Sequence, residues 1–497
     1  MRSTSGRSPH SSAARGASCP GATPHSPRRR SRKPACSTSR CCAGSWGTTC
    51  RARSSATNRG RASAPRSWNS CRLRRRRPSA QLPAGRRSRA ASERERRVRV
   101  LFVNAFHYLR GGVERTCLDE SRWLAAAGHE VAHFAIRDSR NLPSPTAEFF
   151  APPADFGEDA PPVRQLGQLP RALWSRPAAA AMERLLAAFK PEIAHVHAPS
   201  RYLTPSVLRP LERAHVPVVM TLHDYKPWCT NRILFAHGAP CERCRGGAHW
   251  HALATGCVQG SRAKSAIGMA EAYLHDRIGA YRAVRRWIAP SRFVAEKTVS
   301  LGLEHAKVRV LAHGVERVAP GAAPGAMPEG RFVLFAGRLT VDKGVQLLPA
   351  IAARIAPTPI VVAGDGPLSS WLAREGGPGV RQLGHLADET LAAVMRRAGA
   401  VIVPSLFYET FGYAVAEPMA DGRPVVAARI GALPELVEHE ATGLLAEPGD
   451  AEGFAVLTQR ALDDPAAARW TDEARRRVGR IADPRAHVAG LLAIYRE

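Results

Sequence analysis

From Val98 onward, the hydrophobic positions form short apolar runs that alternate with amphipathic stretches. The runs lack the in–out alternation of a half-exposed strand, so they predict strands that are buried on both faces. Strand–helix repetition predicts a parallel sheet with right-handed crossovers. The first predicted strands are 98–104, 130–135, 192–197, 216–222 and 286–289, with helices near 114–127, 178–189, 203–214 and 265–285.

The pattern breaks over residues 314–330, which are rich in Pro, Gly and Ala and predict a linker. A second series of strands follows near 331–336, 359–363, 380–383, 400–403 and 424–427. The predicted fold class is therefore α/β, with two tandem Rossmann-like, doubly wound domains at 98–313 and 331–480. Ligands of such domains bind at the carboxyl ends of the strands, here in an interdomain cleft.

The first 97 residues have a different composition from the rest of the chain. Residues 1–92 contain 22 of the 72 Lys and Arg residues and no acidic residue, so the remaining 50 nearly balance the 42 Asp and Glu. This Arg/Ser-rich tail lacks apolar periodicity and is predicted to be disordered. Three interpretations fit this tail: an organellar transit peptide, a nucleic-acid-binding arm, or the product of a start assigned too early. We favour the last interpretation, which predicts a true start near Val98.

The net charge of +30 therefore lies mostly on the tail and does not predict a nucleic-acid partner for the rest of the chain. No apolar run reaches the roughly 18 residues of a membrane span, and the N-terminus does not resemble a secretory signal. These features predict a cytoplasmic protein.

Two basic residues follow the first strand of the second domain. Arg338 comes directly after Gly337, and Lys343 is predicted to open the next helix. Such a turn can aim two cations at one point beside the free amides of a helix N-terminus, which suits a diphosphate. A solvated basic turn is the alternative.

Two carboxylates follow the predicted strand 400–403. Glu409 lies in a loop, and Glu417 lies in a helix that is predicted to begin near Gly412. Gly412 allows a ligand to approach the backbone, and the helix start favours phosphate. The carboxylates can accept hydrogen bonds from sugar and ribose hydroxyls, and Phe411 is also predicted to bind the donor. Glu417 as a plain surface charge is the weaker alternative, because it stands in an apolar stretch.

The segment 331–445 resembles the donor-binding half of glycosyltransferase family 4, whose members are retaining enzymes of the GT-B architecture. The resemblance is carried by Gly337-Arg338 with Lys343-Gly344, Gly364-Asp365-Gly366-Pro367, Glu409 with Glu417, Gly422-Arg423-Pro424-Val425-Val426, Leu433-Pro434-Glu435-Leu436-Val437 and Thr442-Gly443-Leu444-Leu445. It implies that Arg338 and Lys343 hold the donor diphosphate, that Glu409 contacts the donor sugar, and that Glu417 contacts the ribose.

The resemblance extends over residues 98–497. Gly111-Gly112-Val113-Glu114 matches a glycine-rich loop, which implies that Gly112 lies close to the donor phosphate or the acceptor. In that family, the histidine at the position of His223 faces the donor sugar. His195 and His197 are expected to be structural. Related enzymes also imply that residues 481–497 form a helix that packs back on the first domain. Ala312-His313-Gly314-Val315 stands where Pro-Asn-Gly-Val is frequent.

The predicted function is transfer of a sugar, with retention, from a UDP- or GDP-type nucleotide sugar to a glycan or lipid-linked acceptor in polysaccharide biosynthesis. The predicted catalytic residues are His223, Arg338, Lys343 and Glu409. The sequence contains no D-x-D triplet, so no catalytic metal or other cofactor is expected. An epimerase or phosphorylase on the same fold and a nucleic-acid-binding protein acting through the tail are the alternatives.

Four cysteines form a C-x11-C-x2-C-x12-C pattern after His223. They are Cys229, Cys241, Cys244 and Cys257. Four thiolates around a C-x2-C core suit a structural zinc ion, which would hold a long loop in place. Two disulfides and four free thiols are the alternatives.

The stretch 262–286 is basic and amphipathic. Its apolar stripe consists of Ile267, Ala270, Leu274, Ile278 and Tyr281. A core-facing helix with a solvated face is the favoured interpretation. The alternative is a helix that lies on the inner face of a membrane carrying a lipid-linked acceptor.

Overall fold

The computed structural model describes residues 97–153, 162–325 and 327–497. The predictions about residues 1–96, namely disorder and an early start, lie outside the described residues.

The first domain contains a parallel sheet and a short hairpin. Its strands are β1 Arg99–Val103, β2 Glu130–Phe134, β3 Ile193–Val196, β4 Val218–Thr221, β5 Phe235–Ala236, β6 Ala239–Pro240, β7 Val284–Ala289 and β8 Val308–Val310. Six of them form a parallel sheet in the order β2-β1-β3-β4-β7-β8, and β5 and β6 form an antiparallel hairpin. The helices of this part are α1 Gly112–Ala126, α2 Pro162–Leu173, α3 Arg176–Phe189, α4 Ser200–Leu203, α5 Leu208–Arg213, α6 Trp250–Thr255, α7 Arg262–Arg277 and α8 Arg292–Ser300.

The second domain repeats the doubly wound plan. Its strands are β9 Val333–Ala336, β10 Ile360–Ala363, β11 Val380–Gly384, β12 Ala400–Val403, β13 Val425–Ala428 and β14 Leu444–Ala446. They are all parallel, in the order β11-β10-β9-β12-β13-β14. The helices are α9 Leu348–Arg354, α10 Ser369–Glu375, α11 Asp388–Arg397, α12 Tyr413–Ala420, α13 Leu433–Leu436, α14 Ala451–Asp463, α15 Ala467–Ile481 and α16 Pro484–Tyr495.

The buried strands agree with the apolar runs from which they were predicted. Strands β3, β4, β10, β12 and β13 are buried at every residue. In each sheet the winding direction reverses beside the first strand, between β1 and β3 and between β9 and β12. Loops at the carboxyl ends of these four strands meet at the two switch points, where doubly wound sheets bind ligands.

The last helix, α16, belongs to the core of the first domain. Leu491, Leu492 and Ile494 pack in one apolar cluster with Val100 and Phe102 of β1. The chain therefore crosses back after α15, and its end covers the first sheet.

Local predictions differ from the structure at several places. The predicted helix 203–214 is broken at Thr204, which has φ 56° and precedes a proline, a position that disfavours the helical region. The helix predicted to open at Asp342–Gly344 instead starts at Leu348, after two short 3-10 turns around Gly344, which has φ 74°. The short strands β8 and β14 were not among the predicted strands.

Only one end of the predicted apolar stripe meets the core, because Tyr281, beyond the end of α7, packs against the core of the first domain. The buried residues of α7 itself are Ser265, Gly268 and His275, whereas Ile267 is 40% exposed. A Cβ on Gly268 would lie 2.7 Å from Cγ2 of Thr230, so the small residues allow the close approach that sets the buried face. No helix among the described residues is both long enough and apolar enough to cross a membrane.

Candidate functional site

The switch point of the second sheet brings Lys343 and Glu409 together. Lys343 follows β9 and Glu409 follows β12, and the lysine Nζ lies 2.6 Å from Oε1 of Glu409. The same oxygen accepts a hydrogen bond of 2.7 Å from Oγ of the buried Ser405. The Lys343 side chain is 19% exposed and the Glu409 side chain 9% exposed, so a cation and a carboxylate are held side by side at the edge of the cleft.

Two glycines allow these loops to pack so closely. A Cβ on Gly344 would lie 1.9 Å from the carbonyl oxygen of Pro404, and one on Gly431 would lie 2.5 Å from the backbone nitrogen of Glu409. Both glycines have positive φ values, of 74° and 60°. Any larger residue at either position would have to move the backbone that carries Glu409.

Arg338 lies apart from this pair. Its side chain is 67% exposed, and its ion-pair partner is Asp342, at 3.7 Å. The two basic residues of the predicted diphosphate turn therefore differ in environment, because the 3-10 turn after Thr340 directs Lys343 inward and leaves Arg338 at the surface.

Gly412 stands at the N-terminus of α12, as predicted from the sequence. It has φ 103°, and a Cβ there would lie 2.5 Å from Cδ2 of Leu433. Phe411 beside it is 4% exposed and packs edge-on against His313, with ring centroids 5.1 Å apart. Phe411 therefore fixes the start of α12 from the core side.

Glu417 lies one helical turn further along α12 and faces the first domain. Its carboxylate is 3.7 Å from the guanidinium of Arg115, which also pairs with Asp388 at 2.6 Å. Burial raises the pKa of Glu417 to about 7, against the opposing effect of Arg115. Sequence reasoning missed Arg115, although its place three residues after Gly112 on a predicted helix was a usable signal.

The glycine-rich loop of the first domain contacts α12 directly. A Cβ on Gly112 would lie 3.4 Å from the ring of Tyr413, and Oγ1 of Thr116 is 2.9 Å from the Tyr413 hydroxyl. Oγ of Ser291 also donates a hydrogen bond of 2.9 Å to the carbonyl oxygen of Thr410. The N-terminal end of α1 and the start of α12 therefore lie together across the cleft.

His223 lies at the carboxyl end of β4, on the same side of the molecule. Its Nε2 is 2.9 Å from Nδ1 of His197, and its ring stacks on His313 with centroids 5.3 Å apart. Burial and the neighbouring His197 hold the pKa of His223 well below its usual value, so its ring is neutral at physiological pH. His313, which stands in place of the Asn of the Pro-Asn-Gly-Val motif, packs between His223 and Tyr413.

The four predicted metal ligands line one small cavity. Cys229, Cys241, Cys244 and Cys257 surround it together with His251. All four are free thiols, and Sγ of Cys229 donates to Oδ1 of Asn231 at 2.9 Å. Among the described residues, the only group of three potential ligand atoms within 4.8 Å of one another belongs to Glu120, His195 and His197, so an ion would require the cysteine sulfurs to move closer together.

The cysteine loop also reaches the second domain. Glu242 lies between Cys241 and Cys244, and its Oε1 accepts hydrogen bonds from Nζ of Lys297 at 2.6 Å and from the hydroxyl of Tyr408 at 3.1 Å. Tyr408 precedes Glu409, so this loop contacts the segment that carries the candidate donor site.

Two family models match consecutive parts of the chain. Residues 110–317 match "Glycosyltransferase Family 4", and residues 330–464 match "Glycosyl transferases group 1". The boundary between the two matches falls between β8 and β9, where the first sheet ends and the second begins.

Curated relatives match over part of their length. Glycogen synthase of Mycobacterium tuberculosis is 34% identical over 191 residues, which are 36% of this chain and 46% of the relative. D-inositol 3-phosphate glycosyltransferase of Mycolicibacterium vanbaalenii is 31% identical over 255 residues, which are 42% of this chain and 56% of the relative. The chain thus spans about half the length of the curated relatives it matches.

Solved structures share the fold at low sequence identity. Sucrose-phosphate synthase of Thermosynechococcus elongatus superposes with a TM-score of 0.58 at 20% identity, over 80% of this chain and 98% of the other. HepE of Anabaena, solved in complex with UDP and glucose, superposes with a TM-score of 0.55 at 18% identity, over 80% and 98%. At these identities, the likeness establishes the two-domain architecture.

Proposed function

Because the chain belongs to glycosyltransferase family 4 of the group 1 glycosyltransferases and has the GT-B architecture, we propose that it is a retaining glycosyltransferase. Its donor is a nucleotide diphosphate sugar, and its acceptor is a glycan or a lipid-linked sugar. The observation that carries this proposal is the Lys343–Glu409 pair at the switch point of the second sheet, beside the N-terminus of α12.

Each part of a nucleotide sugar has a matching group at this site. The diphosphate lies between Lys343 and the free amides that follow Gly412, where a cation and a helix start both favour negative charge. Arg338 adds a second cation from the solvent-facing side of the same turn. Glu409 then accepts hydrogen bonds from the sugar hydroxyls, and Glu417 accepts them from the ribose.

The transfer step requires no nucleophile from the protein. The bond between the anomeric carbon and the diphosphate oxygen breaks, and the acceptor hydroxyl forms its bond on the same face of the sugar. The acceptor proton passes to the departing phosphate oxygen. Lys343 and the α12 amides stabilise the negative charge that develops on that oxygen, and water is excluded where α1 packs on α12.

Nucleotide binding tests the donor site. We expect calorimetry on the full chain to detect UDP or GDP, with binding weakened at least 10-fold by Lys343→Ala and by Glu417→Ala. The matched control is Lys307→Ala, which removes a surface cation that pairs with Glu304 away from the cleft. A folded parent that binds neither nucleotide, or a control that weakens binding equally, contradicts the donor assignment.

Product analysis separates transfer from the alternatives. With a labelled donor, a transferase moves the label to an acceptor, an epimerase returns an isomerised donor, and a phosphorylase requires free phosphate. The curated relatives described above are named as synthases or transferases, which supports transfer. Label that remains in the nucleotide sugar with every acceptor tested contradicts it.

We also propose that the four-cysteine cavity binds one structural zinc ion. Its support is the donor set, because four thiols from three loop segments line a single cavity. Zinc would stabilise the loop that carries Glu242, and through it the contact with Tyr408.

Metal content tests the zinc proposal. We expect one zinc per chain by mass spectrometry, lost in Cys244→Ser and kept in Cys117→Ser, which removes a buried cysteine outside the cavity. Zinc-free protein in which four of the cysteines fail to titrate as thiols under denaturing conditions contains two disulfides, which overturns the proposal. Zinc-free protein in which every cysteine titrates as a thiol overturns it as well.

We propose, finally, that α6 and α7 contact the inner face of a membrane that carries a lipid-linked acceptor. Four large apolar side chains are exposed on these two helices, namely Trp250 at 53%, Leu253 at 38%, Ile267 at 40% and Tyr273 at 41%. Arg262, Lys264 and Arg277 lie on the same helix as the last two, which is the composition of an interfacial helix.

Vesicle binding tests this surface. We expect cosedimentation with vesicles of anionic lipid, reduced by Trp250→Ser with Ile267→Ser. The control, Val456→Ser, removes an exposed apolar residue of α14 and leaves binding unchanged. Equal binding by the double variant contradicts the proposal.

A further inference from the structure

A buried polar network lies behind His223, at the switch point of the first sheet. Its members, which we call the histidine network, are Glu120, His195, His197, His223 and His487. Glu120 of α1 is 1% exposed, and its carboxylate faces three imidazoles. Oε1 lies 2.9 Å from Nε2 of His487, and Oε2 lies 3.4 Å from Nδ1 of His195 and 3.4 Å from Nε2 of His197.

The hydrogen-bond partners of His487 determine its protonation. Nδ1 lies 2.7 Å from the carbonyl oxygen of Ala312, which can only accept, so Nδ1 carries a proton. Nε2 faces a carboxylate oxygen and carries a proton for the same reason. Although burial opposes the charge, the Glu120 carboxylate raises the pKa of His487. His487 is therefore an imidazolium that neutralises Glu120 inside the core.

Both ring nitrogens of His195 already have hydroxyl partners. Nδ1 is 2.8 Å from the hydroxyl of Tyr495 and Nε2 is 2.7 Å from Oγ1 of Thr221. Burial and the neighbouring His197 hold the pKa of His195 well below its usual value. His195 is thus neutral and held in place, and His197 is the member that connects Glu120 to the cleft.

The carboxylate selects the tautomer of His197. His487 already neutralises Glu120, so a further positive charge on the buried His197 would have no counter-charge to balance it, and this favours the ring with one N–H. If that proton were on Nδ1, the Nε2 lone pair would face Oε2 of Glu120, and neither atom has another hydrogen-bond partner among the described residues. Electrostatic repulsion between the two excludes this arrangement, so the proton is on Nε2 and Nδ1 is an acceptor.

The same reasoning fixes His223. Its Nε2 lies 2.9 Å from Nδ1 of His197, so it must donate. Because His223 is neutral, its Nδ1 then carries no proton. That nitrogen makes no hydrogen bond within the described residues, and His223 is partly exposed, so its lone pair can accept a hydrogen bond from a ligand.

We propose that Glu120, acting through His197, holds His223 in the tautomer that accepts a hydrogen bond at Nδ1. His223 therefore recognises a hydroxyl of the sugar or acceptor and disfavours an anionic substituent, such as the carboxylate of a uronic acid, at that point. Glu120 and His197 are positioning residues, and His223 is the residue that contacts substrate. The substrate part of this proposal rests on the proposed function, whereas the tautomer does not.

Nitrogen NMR of the histidine rings in the full chain tests the tautomer without any substrate. His223→Gln identifies the His223 signals, and we expect its Nδ1 to be unprotonated. In Glu120→Gln, the amide oxygen accepts from His487 and the amide nitrogen donates to Nε2 of His197, so the tautomers of His197 and His223 should both reverse. Asp119→Asn, a neighbouring carboxylate of α1 that pairs with Arg122 at the surface, should change nothing.

A protonated Nδ1 of His223 in the parent overturns the proposal, as does a Glu120→Gln variant with unchanged tautomers.

If Glu120→Gln does not fold, His197→Gln serves instead. The parent and this variant are then compared by their discrimination between a donor and its deoxy analogue. We expect the hydroxyl to contribute on the order of 10- to 100-fold in kcat/KM to the parent and little to the variant. Equal discrimination by both contradicts the positioning role. A chain that binds no nucleotide but shows the expected tautomers refutes only the proposed function.

Discussion

The two domains place polar groups at the same topological position and treat them differently. In the second domain, the Lys343–Glu409 pair at the switch point between β9 and β12 remains partly exposed to the cleft. In the first domain, the switch point between β1 and β3 is filled by the histidine network, which α16 covers from behind. Under the two proposals above, the sheets have different roles: one presents charge to a ligand, and the other orients a neutral ring from a buried charge pair.

The largest effect on stability is expected when the loop packing of the second domain alone is disturbed. Gly344→Ala introduces roughly 1–2 kcal/mol of left-handed backbone strain and roughly 1–3 kcal/mol of overpacking, because its Cβ would lie 1.9 Å from the Pro404 carbonyl oxygen. We expect urea denaturation to show the combined loss in the free energy of unfolding. Gly111→Ala, with an extended φ of 175° and nothing within 4 Å of its Cβ, should leave stability unchanged.

A loss of similar size should come from the helix that closes the first domain. Leu491 of α16 is fully buried against β1, so Leu491→Ala should lower the free energy of unfolding by about 2–5 kcal/mol. We further expect nucleotide binding to survive wherever the protein remains folded, because the proposed donor site lies in the other domain. Calorimetry below the unfolding transition checks this, and a loss of nucleotide affinity without unfolding would show that the two sites are coupled.

The pH dependence of stability tests the buried environment of Glu417. Burial raises its pKa to about 7 in the folded protein, above the value of about 4.3 for an exposed glutamate. Between these values the folded state holds a proton that the unfolded state has lost, so Glu417 makes stability fall as pH rises from about 4.3 to 7. Glu417→Gln should therefore be more stable than the parent at pH 8, with the difference shrinking towards pH 5. An unchanged difference between these pH values contradicts the raised pKa.

The smallest predicted effect concerns the contact between the domains. Tyr413→Phe removes the hydroxyl that lies 2.9 Å from Oγ1 of Thr116 and keeps the ring against Gly112. We expect a loss of about 0.5–1.5 kcal/mol in the free energy of unfolding. A larger loss, measured by thermal unfolding, would indicate that this hydrogen bond holds the two domains together.

Most of the fold was predictable from the sequence because buried parallel strands have a distinctive apolar pattern. The predicted strands of both sheets were found, and the short edge strands β8 and β14 were not among them. The errors lie where local chemistry overrides periodicity, as at Thr204 before Pro205 and at the 3-10 turns around Gly344. On α7, close packing at Gly268 turned a different face inward than the apolar stripe indicated.

The strands and the candidate groups that follow them could be recognised from the sequence, because they depend on residues that are near one another along the chain. Which of these groups meet depends on the tertiary structure. Glu120 and His487 are 367 residues apart, and no local pattern connects them. A buried charge is stable only beside its partner, and that partner is supplied by the crossing of α16 back to the first sheet.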